Sequence, residues 1–333
     1  MKSHAHAIKP PPRFTIDWFL IGMLAAVGIA SIAPQIGRTG GELHLDQIGN
    51  VGIFAIFFLH GIALSTESLL HGASRWRLHL LVQACTFVMF PLWWLAFDAA
   101  FAHFVPHDLM LGFFYLAILP STVSSSVAMT GLARGNVAAA ILNATLSTLL
   151  GVFLTPLLAS LVFSHGTHPM DLGATMLKIA QMLLLPFVLG HALRPWLGAF
   201  FRKIKPVTSW VDRIVILVLV WCSFSDSVAD GLWSKHGVEL IVITLVGAAL
   251  FLFPMLMFTR LIARLMKMPI EDEIVAVFCG SKKTLASGVP MARLLFGGNP
   301  ALGALVLPIM FYHQLQLFVC SLLARKYASR DEV

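Results

Sequence analysis

Ten stretches of about twenty apolar residues recur along the 333-residue chain and set the terms of any fold it can adopt. A bilayer core of about 30 Å is crossed by roughly 20 apolar residues of helix, since the segment must satisfy its own backbone groups there. The stretches lie near residues 14–33, 47–65, 76–97, 108–132, 136–163, 173–194, 209–229, 238–260, 271–295 and 300–324. The expected fold is an all-α integral membrane protein with ten transmembrane helices. Composition agrees: 58% of residues are hydrophobic, only 12% are charged, and mean hydropathy is +0.84. Too little polar surface is available to cover the apolar surface, which excludes a soluble enzyme, a nucleic-acid binder and a disordered scaffold. The first stretch ends at Ser31-Ile32-Ala33, a small-residue sequence like a cleavage site. Its apolar run is too long for a signal peptide and Pro34 follows directly, so it reads as a true span.

The formal charge of +7 has a membrane explanation. With ten spans both termini share a side, and most Lys and Arg then fall on it. They include Lys2, Lys9, Arg13, Arg75, Arg77, Arg134, the Arg194–Arg213 group, Arg260, Arg264, Lys267, Arg325, Lys326 and Arg330. Only Arg38, Lys178, Lys235 and Arg293 fall opposite. The positive-inside rule places both termini in the cytoplasm. Cys85, Cys222, Cys279 and Cys320 sit in apolar stretches without CxxC spacing and read as buried thiols.

Two spans differ from the rest. In the fourth, Leu119-Pro120-Ser121-Thr122-Val123-Ser124-Ser125-Ser126 interrupts the apolar run; in the ninth, Gly280-Ser281-Lys282-Lys283-Thr284 does so, followed by Ser287-Gly288-Val289-Pro290. Proline removes a donor and clashes with the preceding turn, and bare backbone is not tolerated against lipid. Both breaks must therefore face protein or a cavity. Pro120 follows Asp108 by about 18 Å of helix and Lys282 follows Glu271 by about 16 Å, so both breaks fall near the midplane, approached from opposite sides. Interruptions at the fourth position of each five-span half are the trace of a transporter built from two inverted repeats, with its site between them.

At these residues the chain resembles the bile acid:sodium symporter superfamily, most closely its "sodium bile acid symporter-like" branch. The resemblance rests on Phe278-Cys279-Gly280-Ser281-Lys282-Lys283-Thr284-Leu285-Ala286-Ser287-Gly288-Val289-Pro290-Met291-Ala292 and on Leu132-Ala133-Arg134-Gly135-Asn136-Val137-Ala138. It implies a panel of spans 1, 2, 6 and 7 (residues 14–65 and 173–229) and a core of spans 3–5 and 8–10 (76–163 and 238–324), with the broken fourth and ninth helices crossing. It also implies a bacterial inner-membrane location and a small organic anion as cargo, moved by alternating access with a coupled cation. Carried over, the substrate and ion sites would involve Pro120, Ser121, Thr122, Ser124, Ser125, Ser126, Asn143, Ser147, Thr148, Gly280, Ser281, Lys282, Lys283, Thr284 and Gln83. A sodium ion would lie at Ser125, Ser126, Asn143 and Ser147, the oxygen donors a small cation requires. Sodium is the only cofactor implied, lipid is the remaining partner, and oligomeric state is not expressed in the pattern.

The chain departs from sodium-coupled members. The ninth-span break carries Lys282 and Lys283 where they have a carboxylate and a glutamine, and Thr86, with Gln83 about one turn away, stands where they carry a third-span glutamine. A lysine at a helix centre costs about 2.5–3.5 kcal/mol on insertion scales. One reading places Lys282 or Lys283 in the sodium position, able to load and release a proton; another makes it a fixed ammonium bracing the break. His60, His191 and His313 read as packing residues or proton relays, at least one of Gln314 and Gln316 as core-facing, and Asp226 and Asp230 as interfacial carboxylates or cation ligands. Trp93, Trp94, Trp196 and Trp210 read as interfacial anchors. Ser65–Ser74, with Glu67 and His71, reads as a cytoplasmic amphipathic stretch, and His4 and His6 are too sparse for a metal site. Two rival functions remain: a non-transporting sensor of ion homeostasis on the same fold, and an intramembrane hydrolase using Ser287 and His313. No nucleophile-elbow motif surrounds Ser287.

Overall fold

The computed structural model describes residues 18–63, 75–163, 177, 180–229, 233–296 and 301–330. Among these residues there is helix and no strand. The helices are α1 (Trp18–Ile32), α2 (Pro34–Gly37), α3 (Leu45–Ala63), α4 (Trp76–Phe101), α5 (His107–Ile118), α6 (Ser124–Leu132) and α7 (Val137–Phe163). They continue with α8 (Leu185–Ala229), α9 (Trp233–Leu265), α10 (Ile270–Ser281), α11 (Leu285–Phe296) and α12 (Leu302–Ala328). Six helical stretches among the described residues are long and apolar enough to cross a membrane. The tail bearing His4 and His6, the Ser65–Ser74 stretch, Lys178 and Asp230 lie outside the described residues.

Both expected interruptions are present. α5 and α10 have 12 residues each, begin after Pro106 and Pro269, and carry acid in the first turn: Asp108 in one, Glu271, Asp272 and Glu273 in the other. Proline fixes the entry angle where no N–H is needed, and carboxylates offset the positive helix end. Each ends in extended backbone, at Leu119 (ψ 150°) and Lys282 (ψ 147°). The helices that follow the broken pairs, α7 and α12, have 27 residues each and an internal proline, Pro156 and Pro308.

α4 contains a π-helical turn, Cys85–Met89. Pro91 explains it: an inserted residue lets the helix accommodate a proline ring without breaking. The turn has a consequence for the site. Phe90 N–H donates to the Cys85 carbonyl, and Pro91 has no N–H to offer, so the Thr86 carbonyl is left without a helical donor.

Residues 173–194 and 209–229 read as separate spans; helix continues between them, from Leu185 to Ala229, after a π-helical turn at Ala180–Leu184. The connecting stretch, with Arg202, Lys203 and Lys205, reads as a loop on charge alone, yet those residue types are good helix formers. α8 is not one straight rod: Phe187 and Leu219, far apart along it, meet Gly61 and Gly49 on the much shorter α3, so its axis turns between two parts, the first of which holds a membrane-crossing stretch of its own, Gln181–Phe201. Its two halves meet different parts of α3: Phe187 and the backbone beside it pack on Gly61, Gly190 on Phe58, and Val215 and Leu219 on Gly52 and Gly49. α1 joins the second half where Gly22 meets Leu217. Elsewhere α5 lies against the proline kink of α12, with Gly112 on the carbonyls of Ala304 and Leu305. Trp94 is a correction: it is buried, donating to the Met110 carbonyl at 3.2 Å, whereas Trp93, Trp196 and Trp210 are exposed. All four cysteines are buried free thiols.

Candidate functional site

The two breaks touch. Thr284 N–H donates to the Pro120 carbonyl at 3.0 Å, main chain to main chain. Helix ends leave carbonyls unsatisfied, and in a buried crossing each one needs a donor. The donors come from the opposite half. Ser121 Oγ donates to the Cys279 carbonyl (2.6 Å) and Ser126 Oγ to that of Phe278 (3.2 Å), so the fourth-span serines finish α10. In return, Lys283 Nζ donates to the carbonyls of Ala117 (2.7 Å) and Leu119 (2.7 Å), finishing α5. Its third N–H goes to the Thr86 carbonyl at 2.8 Å, the one stranded by the π-turn. Nζ also lies 4.0 Å from the centre of the Phe90 ring, a favourable face for a cation. All three ammonium protons are thus used, at the negative end of a half-helix.

Lys282 is placed differently. Its Nζ donates to the Ser125 carbonyl at 2.9 Å and lies 5.5 Å from the Phe278 ring centre. It has one hydrogen bond where Lys283 has three, although both side chains are 0% exposed. Ser121, Ser126, Asn143, Ser147 and Ser281 are equally sealed from solvent.

Helices α7 and α12 buttress the crossing. Ser147 Oγ accepts from Ser121 N–H at 2.9 Å, and Thr155 Oγ1 donates to the Ile118 carbonyl. Gly151 lies against the Pro120 ring, where a Cβ would come within 2.6 Å. Gln316 reads both main-chain groups of Lys283, accepting from its N–H (2.9 Å) and donating to its carbonyl (2.8 Å), and its Nε2 also pairs with His313 Nδ1. Of Gln314 and Gln316, at least one of which was expected to face the core, Gln316 does so at 0% exposure. Ser281 Oγ turns back to the Val277 carbonyl, and Gly280 packs on Thr259 and Cys85.

The expected residues therefore separate into groups. Pro120, Ser121, Ser125, Ser126, Ser147, Gly280, Ser281, Lys282, Lys283 and Thr284 meet at the crossing. Thr122 stands beside it, its hydroxyl accepting weakly from Ser125 at 3.4 Å. Gln83 and Asn143 form a second pair, Gln83 Nε2 donating to the Asn143 carbonyl at 3.1 Å. Gln83 Oε1 and Asn143 Oδ1 are both buried oxygens without a hydrogen-bond donor. Thr148 bonds only its own helix, at Ala144, and Ser124 is exposed. Among the described residues no group of three His, Cys, Asp or Glu could hold a metal ion, and the oxygens that Gln83 and Asn143 leave without a donor are neutral amide oxygens.

Sequence reasoning passed over the tyrosines. The chain has three, and all are buried with the hydroxyl engaged: Tyr115 on the Gly288 carbonyl (2.7 Å), Tyr312 on that of Ser281 (2.5 Å) and Tyr327 on Glu273 (2.8 Å). A tyrosine inside an apolar helix needs a partner for its hydroxyl, which was the available signal.

A multi-pass helical chain whose two broken helices complete each other defines a membrane transporter rather than an enzyme. The chain belongs to the SBF-like CPA transporter family, which it matches over residues 17–329. It is 41% identical over 327 residues to "Putative symporter YfeH" of Escherichia coli, covering 95% of this chain and 94% of that one. It is 45% identical over 321 residues to "Uncharacterized protein PA2026" of Pseudomonas aeruginosa, covering 96% of each. With "Sodium/bile acid cotransporter 7" of Danio rerio identity is 29% over 310 residues, 92% of each chain.

Proposed function

We propose that this protein carries a small organic anion across a bacterial inner membrane by alternating access, with a cation moving alongside. The single observation behind this reading is the reciprocal closure of the two breaks around buried lysine ammonium groups. Two cations without a carboxylate among them, beside the N-terminal turns of α6 and α11, suit an anionic cargo. The matched lengths of α5 with α10 and of α7 with α12 support the inverted-repeat reading, and with it ten spans divided into panel and core.

Lys283, with every proton placed, is the fixed cation of the pair. Lys282, held by one bond, is the residue proposed to meet cargo or exchange a proton. Sodium is the other coupling ion implied by the family. Gln83 Oε1 and Asn143 Oδ1 fit a small monovalent cation, since both are buried oxygens awaiting a positive partner. Ser125, Ser126 and Ser147 would contribute hydroxyl oxygens. A bound sodium would supply positive charge and order those side chains.

Uptake into proteoliposomes, driven in turn by a sodium gradient and a pH gradient, tests the reading. Lys282→Gln is expected to abolish pH-driven uptake while leaving the protein folded; Asn143→Ala is expected to abolish sodium-driven uptake. Tight binding of an anion with no flux under either gradient would favour the sensor reading instead.

A further inference from the structure

At the end of the molecule where α9 and α12 finish, a pocket of about 210 Å³ opens between Arg260 and Arg264 of α9, Ile270 of α10, and Leu323, Lys326, Tyr327 and Arg330. Behind this lining the nearly buried Glu273 carboxylate takes Arg260 Nε at 3.2 Å, Arg264 Nε at 3.0 Å and the Tyr327 hydroxyl. Arg330 is committed to the turn after α6, donating to the carbonyls of Ala133 and Arg134, and pairs with Glu271 at 3.6 Å.

The arginines bind Glu273 through Nε alone. Among the described residues, the outer nitrogens of Arg260 and Arg264 meet no acceptor, and the exposed Lys326 side chain has no partner. The preference for basic residues on one side of a membrane explains their presence. It does not explain why the outer nitrogens of Arg264 and of Arg260, whose guanidinium lies over the Tyr327 ring at 5.6 Å, stand with an ammonium around one concavity without an acceptor. That set matches a tetrahedral phosphate, which planar guanidinium groups bind by parallel hydrogen bonds. The same two helices carry exposed apolar residues near these positions in the chain, Leu261 and Leu265 on α9 and Phe318 and Leu322 on α12, all 45–68% exposed.

We propose that this pocket binds the phosphate head group of an anionic phospholipid, whose acyl chains lie along the exposed apolar faces of α9 and α12. Basic pockets between membrane helices take such head groups. Here the lipid would tie together the ends of α9 and α12 over the start of α10. The pocket shares no lining residue with the crossing, so the proposal stands whatever the protein carries.

The test uses the full chain purified in neutral detergent, titrated with micelles containing phosphatidylglycerol or phosphatidylcholine and followed by native mass spectrometry and thermal unfolding. Phosphatidylglycerol is expected to bind and raise the unfolding temperature, and phosphatidylcholine to do neither. Lys326→Gln breaks no contact within the protein and is expected to weaken binding about fivefold, the worth of one cation near an anionic lipid. Arg264→Gln should act similarly and the double variant more strongly, while Arg77→Gln, which removes the same charge elsewhere, should change nothing. Equal binding of the two lipids, equal loss in Arg77→Gln, or full displacement by millimolar inorganic phosphate (a soluble-anion site) would overturn the proposal.

Discussion

Lys282 and Lys283 show how neighbouring identical side chains acquire different work. Both are costly inside a membrane, and that cost was visible from the sequence. Their division of labour was not, because the acceptors of Lys283 are Thr86, Ala117 and Leu119, far away along the chain. The consequence can be measured. Lys283→Met strands three buried carbonyls at about 1–3 kcal/mol each, so a loss of at least about 3 kcal/mol is expected, seen as a large fall in unfolding temperature. Lys282→Met leaves one carbonyl that stays within a helix and is expected to alter stability by less than about 1 kcal/mol while removing transport. Equal destabilisation by the two would refute the distinction.

Among helices, the controlling features are places where regular hydrogen bonding fails. Three prolines act in the site: Pro120 ends α5, Pro91 forces the turn that frees Thr86, and Pro308 bends α12 beneath Gly112. Proline and serine made the fourth-span break legible, and the cluster from Gly280 to Thr284 did so for the ninth. The π-turn was hidden, because a proline can equally kink a helix or be absorbed by an inserted residue, and packing selects between them. The helical character of the basic stretch within α8 was hidden for a related reason: Arg and Lys read there as a loop by their charge, although both form helix readily. The crossing of α3 and α8 depends on missing side chains, since a Cβ at Gly61 would collide with the Phe187 carbonyl and one at Gly190 with that of Phe58. Small residues let membrane helices approach this closely. Gly61→Ala is expected to cost about 1–3 kcal/mol by overpacking, measured as earlier unfolding in detergent; an unchanged unfolding temperature would mean that α3 and α8 do not meet there.

Across the whole protein, charge collects at two ends with the crossing between them. At one end Asp272 takes Arg75 and Asn136 while Glu273 takes Arg260, Arg264 and Tyr327. At the other, Asp226 accepts from Thr39 N–H (2.7 Å) and Oγ1 (2.8 Å), and Arg293 Nη2 donates to that same hydroxyl (3.0 Å), with Nη1 4.0 Å from Asp226. Asp226, read from sequence as an interfacial carboxylate or a cation ligand, thus joins α8 to α11 through Thr39. On the proposed division into panel and core this is a bond between the two bodies, and opening that end requires breaking it. Cys222, a buried thiol 3.8 Å from Thr39 Oγ1, reports on the bond. Arg293→Gln is expected to make Cys222 of the purified protein reactive toward a polar maleimide, with no signal in a Cys222→Ser background. Arg75→Gln, at the far end, should not.

Hydropathy and punctuation alone were enough to read a helical membrane protein, the two interrupted spans and the polar residues that fill them, and the resemblance of the stretches Phe278–Ala292 and Leu132–Ala138 pointed to the family. Those are properties of short segments, set by how many apolar residues a bilayer requires and by what proline, glycine and serine do to a helix. Which carbonyl each side chain completes depended on segments distant in the chain meeting in space. The exchange of donors between Ser121, Ser126 and Lys283 exists only once the two halves lie against each other, because a buried acceptor takes whatever donor the packing brings within 3 Å.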